Sequence, residues 1–166
     1  MTASTSTRVD LTGEPAAPST DPPADVLQLI YPGHQEPQVL AGNRYESAVV
    51  QPLMTAFSVV QHHWEAITAA RGRGRVIVVA PASAALGDPD RPLDAAVVGG
   101  LISFVRSVAI ELQRHGATAH ILFFDETPDD PAVQAMIDTL VADVSGTVTG
   151  QEIYLAGGAA LGRAHP

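Results

Sequence analysis

Gly72-Arg73-Gly74-Arg75-Val76-Ile77-Val78-Val79-Ala80 decides the fold class. Five apolar residues follow Arg75 without a polar one between them, and four of the five are β-branched. A strand with one wet face alternates. A strand covered on both faces has no need to, and unbroken Val/Ile runs mark the inner strands of parallel sheets. The glycines before the run end whatever precedes it. What precedes it is residues 48–70, where Val50, Leu53, Phe57, Val60, Trp64 and Ile67 recur at steps of three and four. That spacing gives a helix with one apolar face. Pro52 stands near its start, where a missing N–H is harmless.

Working outward, residues 81–92 contain three prolines and read as a loop. Residues 93–114 form a second long helix, with Val97, Leu101, Phe104, Val108 and Leu112 as its apolar stripe. A second stripe, Ala96, Gly99, Gly100, Ser103 and Ser107, consists of small residues and lets another helix come close. Gly116 caps the end. A strand at 117–124, a shorter helix at 129–143 and a strand at 151–156 complete that side. Toward the N-terminus, residues 25–31 are a short apolar strand closed by Pro32-Gly33, and residues 34–47 are polar and loop-like. Residues 1–24, rich in Ser, Thr, Pro, Ala and Asp, are expected to be a disordered arm. The expected domain is therefore 25–166. Its class is α/β, a parallel sheet of about four strands with flanking helices and right-handed crossovers.

The 166 residues carry a net charge of −9, and all nine basic residues are arginine. That balance argues against nucleic acid and anionic membranes as partners. There is no cysteine, which excludes disulfides and thiolate chemistry. The first ten residues lack the apolar core of a signal peptide. No apolar run reaches the ~20 residues of a membrane-spanning helix. A soluble, cytoplasmic protein is expected.

Four strings, in order, resemble the short-chain dehydrogenase/reductase family. Asp25-Val26-Leu27, ending in Gly33, is similar to that family's D-V-L-V-N-N-A-G strand. Gly72-Arg73-Gly74-Arg75-Val76-Ile77-Val78 resembles its G-x-G-R-I-V. Arg106-Ser107-Val108-Ala109-Ile110-Glu111-Leu112 resembles R-S-L-A-x-E-L. Val148-Thr149-Gly150-Gln151-Glu152-Ile153 resembles V-T-G-Q-x-I, with Gly157-Gly158 for its final glycines. The resemblance covers residues 25–158 and implies the C-terminal half of a doubly wound, Rossmann-like fold.

The same resemblance implies that the catalytic groups are gone. Asp94 stands where the family has its proton-transferring tyrosine, and Val98 where it has the lysine. Pro81 stands at the serine and Pro52 at the asparagine. Proline has no donor, valine has no charge, and an ordinary aspartate is ionised at pH 7. The missing lysine is independent of alignment. The Gly-rich pyrophosphate turn of dinucleotide-binding folds is also absent. Thr12-Gly13 after Val9-Asp10-Leu11 reads as part of the arm rather than its remnant. No cofactor is expected on this chain; a nicotinamide dinucleotide is possible in a partner subunit.

Other constellations are weaker. Six histidines invite a metal, but His62 and His63 point ~100° apart on a helix, and His120 reads as a strand residue with a local hydrogen bond. Ser83 with a His and an Asp could imitate a hydrolase triad, yet it lacks the G-x-S-x-G elbow. Arg71, Arg73 and Arg75 read as a solvated turn. The expectation is a non-catalytic subunit that pairs with a catalytically complete ketoreductase or dehydrogenase homologue. The interface is expected at Phe57 and Trp64 of the first long helix and at the small-residue stripe of the second. A homodimer is the other possible assembly. The alternatives are a component whose active site another chain completes, and a small-ligand-binding module.

Overall fold

The structure, a computed structural model, describes residues 5–12, 24–34, 45–142 and 146–155. It is α/β, with a five-stranded, all-parallel open sheet flanked by helices. The strands are β1 (Ser6–Asp10), β2 (Val26–Ile30), β3 (Arg75–Pro81), β4 (Thr118–Phe124) and β5 (Glu152–Tyr154), and they lie side by side in chain order. The helices are α1 (Gln51–Ala69), which runs on from a π turn at Glu46–Val50, then the short α2 (Ala82–Leu86), α3 (Pro92–Gln113) and α4 (Pro131–Val141). Every residue of β3 and β4 is buried, which for β3 is what its unbroken Val/Ile run requires.

Alternation along the strands sorts the core into two layers. Leu27, Leu29, Val76, Val78, Ile121 and Phe123 face α1 and α3. Ile30, Ile77, Val79, Leu122 and Phe124 face α4. All three helical crossovers step the same way across the sheet, yet α4 lies on the face opposite α1 and α3. The β4–α4–β5 connection therefore has the opposite hand to the other two. Connections in parallel sheets are right-handed in about 98% of cases, so the expectation of uniformly right-handed crossovers does not hold here.

The strand count also differs from expectation. Ser6–Asp10, inside the segment read as a disordered arm, pairs with β2 from Ser6↔Val26 to Asp10↔Ile30. The reason is physical: β2 has an open edge of N–H and C=O groups, and β1 satisfies it. On the α4 side β1 presents Ser6, Arg8 and Asp10. The Gln28 amide of β2 donates to Ser6 Oγ at 3.4 Å, and Arg8 pairs with Asp129. This part of the sheet is polar. The rest of the expected arm, 1–4 and 13–23, and Gly157-Gly158 lie outside the described residues.

Two further readings change. Arg75 is fully buried rather than solvated. Its guanidinium donates to the carbonyls of Leu140, Gly72 and Gly74 at 2.9, 2.7 and 2.9 Å. By length and composition α3 is apolar enough to cross a membrane, although no unbroken apolar run in the sequence suggested it. Its apolar residues Val97, Val98, Leu101, Val105 and Leu112 are packed against the sheet as core.

Candidate functional site

At the C-terminal end of the sheet, β2 leaves as Tyr31-Pro32-Gly33-His34 beside the end of β3, with Tyr31 N donating to Val79 O at 2.8 Å. This edge of a parallel sheet is where open α/β folds bind ligands. Across from it begins α3, with Pro92 at its start and Asp94 in its first turn. A carboxylate there faces the positive end of the helix dipole.

Asp94 is fully buried, and Tyr31, the ring and peptide N–H of His34, and Arg91 converge on it among the described residues. The Tyr31 hydroxyl donates to Oδ1 at 2.7 Å. The His34 ring places Nδ1 2.6 Å from the same oxygen, and the His34 peptide N–H lies 3.3 Å from both. Arg91 Nη1 stands 3.6 Å from Oδ2 and donates to the His34 carbonyl. Gly33 has φ +76°, and a Cβ there would stand 3.2 Å from Asp94 Oδ2 and 3.4 Å from Pro81 Cγ. Only glycine suits both that backbone and that space. Burial, first of all, raises the Tyr31 phenol well above its ordinary value, and the hydrogen bond it donates to Asp94 and the charge of that carboxylate add to this against the weaker pull of Arg91. Tyr31 is thus a fixed donor to a buried carboxylate.

Three of the four positions that the resemblance singled out, Asp94, Pro81 and Val98, meet or adjoin here. Asp94 and Pro81 flank Gly33, and Val98, fully buried, follows Asp94 one turn along α3. Pro52 is buried at the start of α1. Sequence reasoning treated Asp94 as an isolated replacement and missed Tyr31, His34 and Arg91. A Tyr and a His three residues apart, just past a strand end, were the available signal.

The residues assigned to an interface lie mostly on the outer surface of α1 and α3. Ala96, Gly99, Ser103 and Ser107 are exposed. Phe57 is 51% exposed, with its ring 6.4 Å from that of Phe104, and Met54 and Val50 extend the row along α1 at 54% and 38% exposure. Trp64 is half-buried against the core. Gly100 differs: a Cβ on it would lie 2.8 Å from Leu53 Cδ2 of the same chain, whereas nothing lies within 4 Å of a Cβ on Gly99. The small size of Gly100 is therefore accounted for by α1–α3 packing within one molecule.

The histidines are scattered. His63 accepts from Ala24 N at 2.8 Å through Nδ1, and His62 is exposed beside it. His120 is fully buried and neither ring nitrogen makes a hydrogen bond of good geometry. Burial, above all, lowers its pKa; the Arg75 charge adds to this, and the backbone of Val148 opposes it. Among the described residues no three His, Asp or Glu side chains gather as metal ligands would. The chain matches no protein-family model and no curated protein.

Proposed function

We propose that this chain is a relative of the short-chain dehydrogenases that has lost hydride transfer and pairs, through the outer faces of α1 and α3, with a catalytically complete homologue. The observation that carries the reading is the exposed apolar row Val50, Met54 and Phe57 beside the flat strip Ala96, Gly99 and Ser103. Large apolar side chains next to a strip without side-chain bulk suit the close approach of two helices from another subunit. Contiguous exposed apolar surface on a folded protein commonly marks an interface.

The loss of hydride transfer rests on the strand-end cluster. A nicotinamide dinucleotide needs a proton-transferring phenol and a cation near its ribose in this family's chemistry. Here Val98 offers no donor, and Asp94 is enclosed by Tyr31, His34 and Arg91. These residues do not fit the cofactor, which in this reading belongs to the partner in the cytoplasm. The chain's part is to bury the partner's active-site helices and hold them in place. Co-purification from the native source, followed by light scattering, tests it. A homologous reductase held by the wild-type chain and lost with Ser103→Arg is the expected result. A monomer with no co-purifying homologue rejects it, and a homodimer abolished by the same substitution replaces it with self-pairing.

A further inference from the structure

His34 is not used by the pairing role, and its surroundings are those of a base. A carboxylate oxygen 2.6 Å from an imidazole nitrogen requires a proton between them. Tyr31, the His34 peptide N–H and Arg91 all favour the anionic form of Asp94, and with Asp94 in that form the proton belongs on Nδ1 of the ring. In the neutral imidazole Nε2 is then the unprotonated nitrogen. The His34 side chain is one-third exposed, and Nε2 makes no hydrogen bond among the described residues. Arg91, holding the His34 carbonyl, fixes the backbone from which the ring projects.

The geometry points to His34 as a general base for hydrolysis of small carboxylic esters at the C-terminal end of β2, with Asp94 as its positioning residue. The nucleophile is water. Ser83 is exposed on α2 and makes no hydrogen bond to His34 or Asp94 among the described residues, and the chain has neither cysteine nor lysine. Nε2 takes a proton from water as the water oxygen bonds to the acyl carbon and the carbonyl oxygen gains the negative charge. On collapse the bond to the alkoxide leaving group breaks, and the imidazolium returns its proton to that oxygen. The products are a carboxylic acid and an alcohol, with His34 again neutral. Asp94 stabilises the imidazolium between the two proton transfers. The Arg91 guanidinium, about one-third exposed, supplies a positive charge beside the base where the acyl oxygen becomes negative. An ester is the substrate class because a lone base assists water attack but does little for the poor leaving group of an amide.

Two measurements on the full chain decide it, and neither needs a partner subunit. Long-range ¹H–¹⁵N NMR reads the tautomer of His34: a proton on Nδ1 is expected, and a proton on Nε2 overturns the proposal. Hydrolysis of p-nitrophenyl acetate by the wild type is expected at least tenfold above an equal concentration of free imidazole. His34→Gln removes the excess, whereas His62→Gln, at an exposed histidine of α1, leaves it. Asp94→Asn, with its fold checked by circular dichroism, moves the His34 proton to Nε2. If that variant fails to fold, the wild-type tautomer and the two histidine variants still decide. A rate no higher than free imidazole, or one untouched by His34→Gln, overturns the proposal and leaves the pairing role standing.

Discussion

The guanidinium Nε of Arg75, at the first position of β3, donates to the carbonyl of Leu140 in the last turn of α4 at 2.9 Å. It joins the strand that decides the fold to the helix covering its far face, and places a cation at that helix's negative end. Its Nη1 also caps the turn at Gly72 and Gly74. Arg75→Met keeps much of the apolar stem but leaves these carbonyls without their donor. Hydrogen bonds to charged groups contribute about 1.5–3 kcal/mol, so the variant is expected to lose about 3 kcal/mol in urea denaturation. Arg73→Met, at a half-buried position, serves as the comparison. Equal midpoints for wild type and Arg75→Met contradict the buried tie.

Gly99 and Gly100 are adjacent on α3 and face different neighbours. Gly99→Ala meets nothing within 4 Å, so it gains helix propensity of about 1 kcal/mol. Gly100→Leu drives a side chain into Leu53 and is expected to lower stability by about 1–3 kcal/mol. Thermal unfolding of both variants reads the two signs. For the same reason Gly99→Arg or Ser103→Arg, and not a large residue at Gly100, separates loss of assembly from damage to the monomer.

How much of this was legible follows from which interactions are periodic. Val76–Ala80 and the stripes of α1 and α3 announce themselves, because burial on a fixed face imposes a period on the sequence. β1 does not: Ser6, Arg8 and Asp10 are polar, and only the distant edge of β2 makes Ser6–Asp10 a strand. Arg75 looked like one of three solvated arginines, because composition counts charge but not the carbonyls waiting for it. The Asp94 cluster joins residues 57 to 63 positions apart, a separation that no local pattern encodes. Asp94 was therefore visible as a replacement for something else and not as the acceptor for Tyr31 and His34.

His120, fully buried in β4, makes stability depend on mild acid. Burial lowers its folded-state pKa below the ordinary 6.5. The unfolded chain then binds a proton more readily than the native one, so its contribution is complete above pH 6.5 and falls as the pH drops toward the lowered native value. Urea midpoints at pH 7.5 and 5.5 are expected to differ more for wild type than for His120→Leu. Equal slopes in the two proteins indicate that the ring carries its proton in the native state.

Tyr31 produces the opposite pH signature. Its phenol, buried and donating to Asp94, has a folded-state pKa raised well above the unfolded 10.0. The stability this represents is intact below pH 10 and declines as the pH rises above it, because only the unfolded chain can release the proton. Ultraviolet titration near the phenolate band is expected to show Tyr31 silent while the protein remains folded, and to show it appear together with alkaline unfolding. Tyr31→Phe removes this alkaline sensitivity. At neutral pH it also removes one donor from a buried carboxylate, a loss of about 2 kcal/mol in urea denaturation. A phenolate signal from Tyr31 below the unfolding transition, identified by its absence in Tyr31→Phe, means that the hydroxyl is not buried against Asp94.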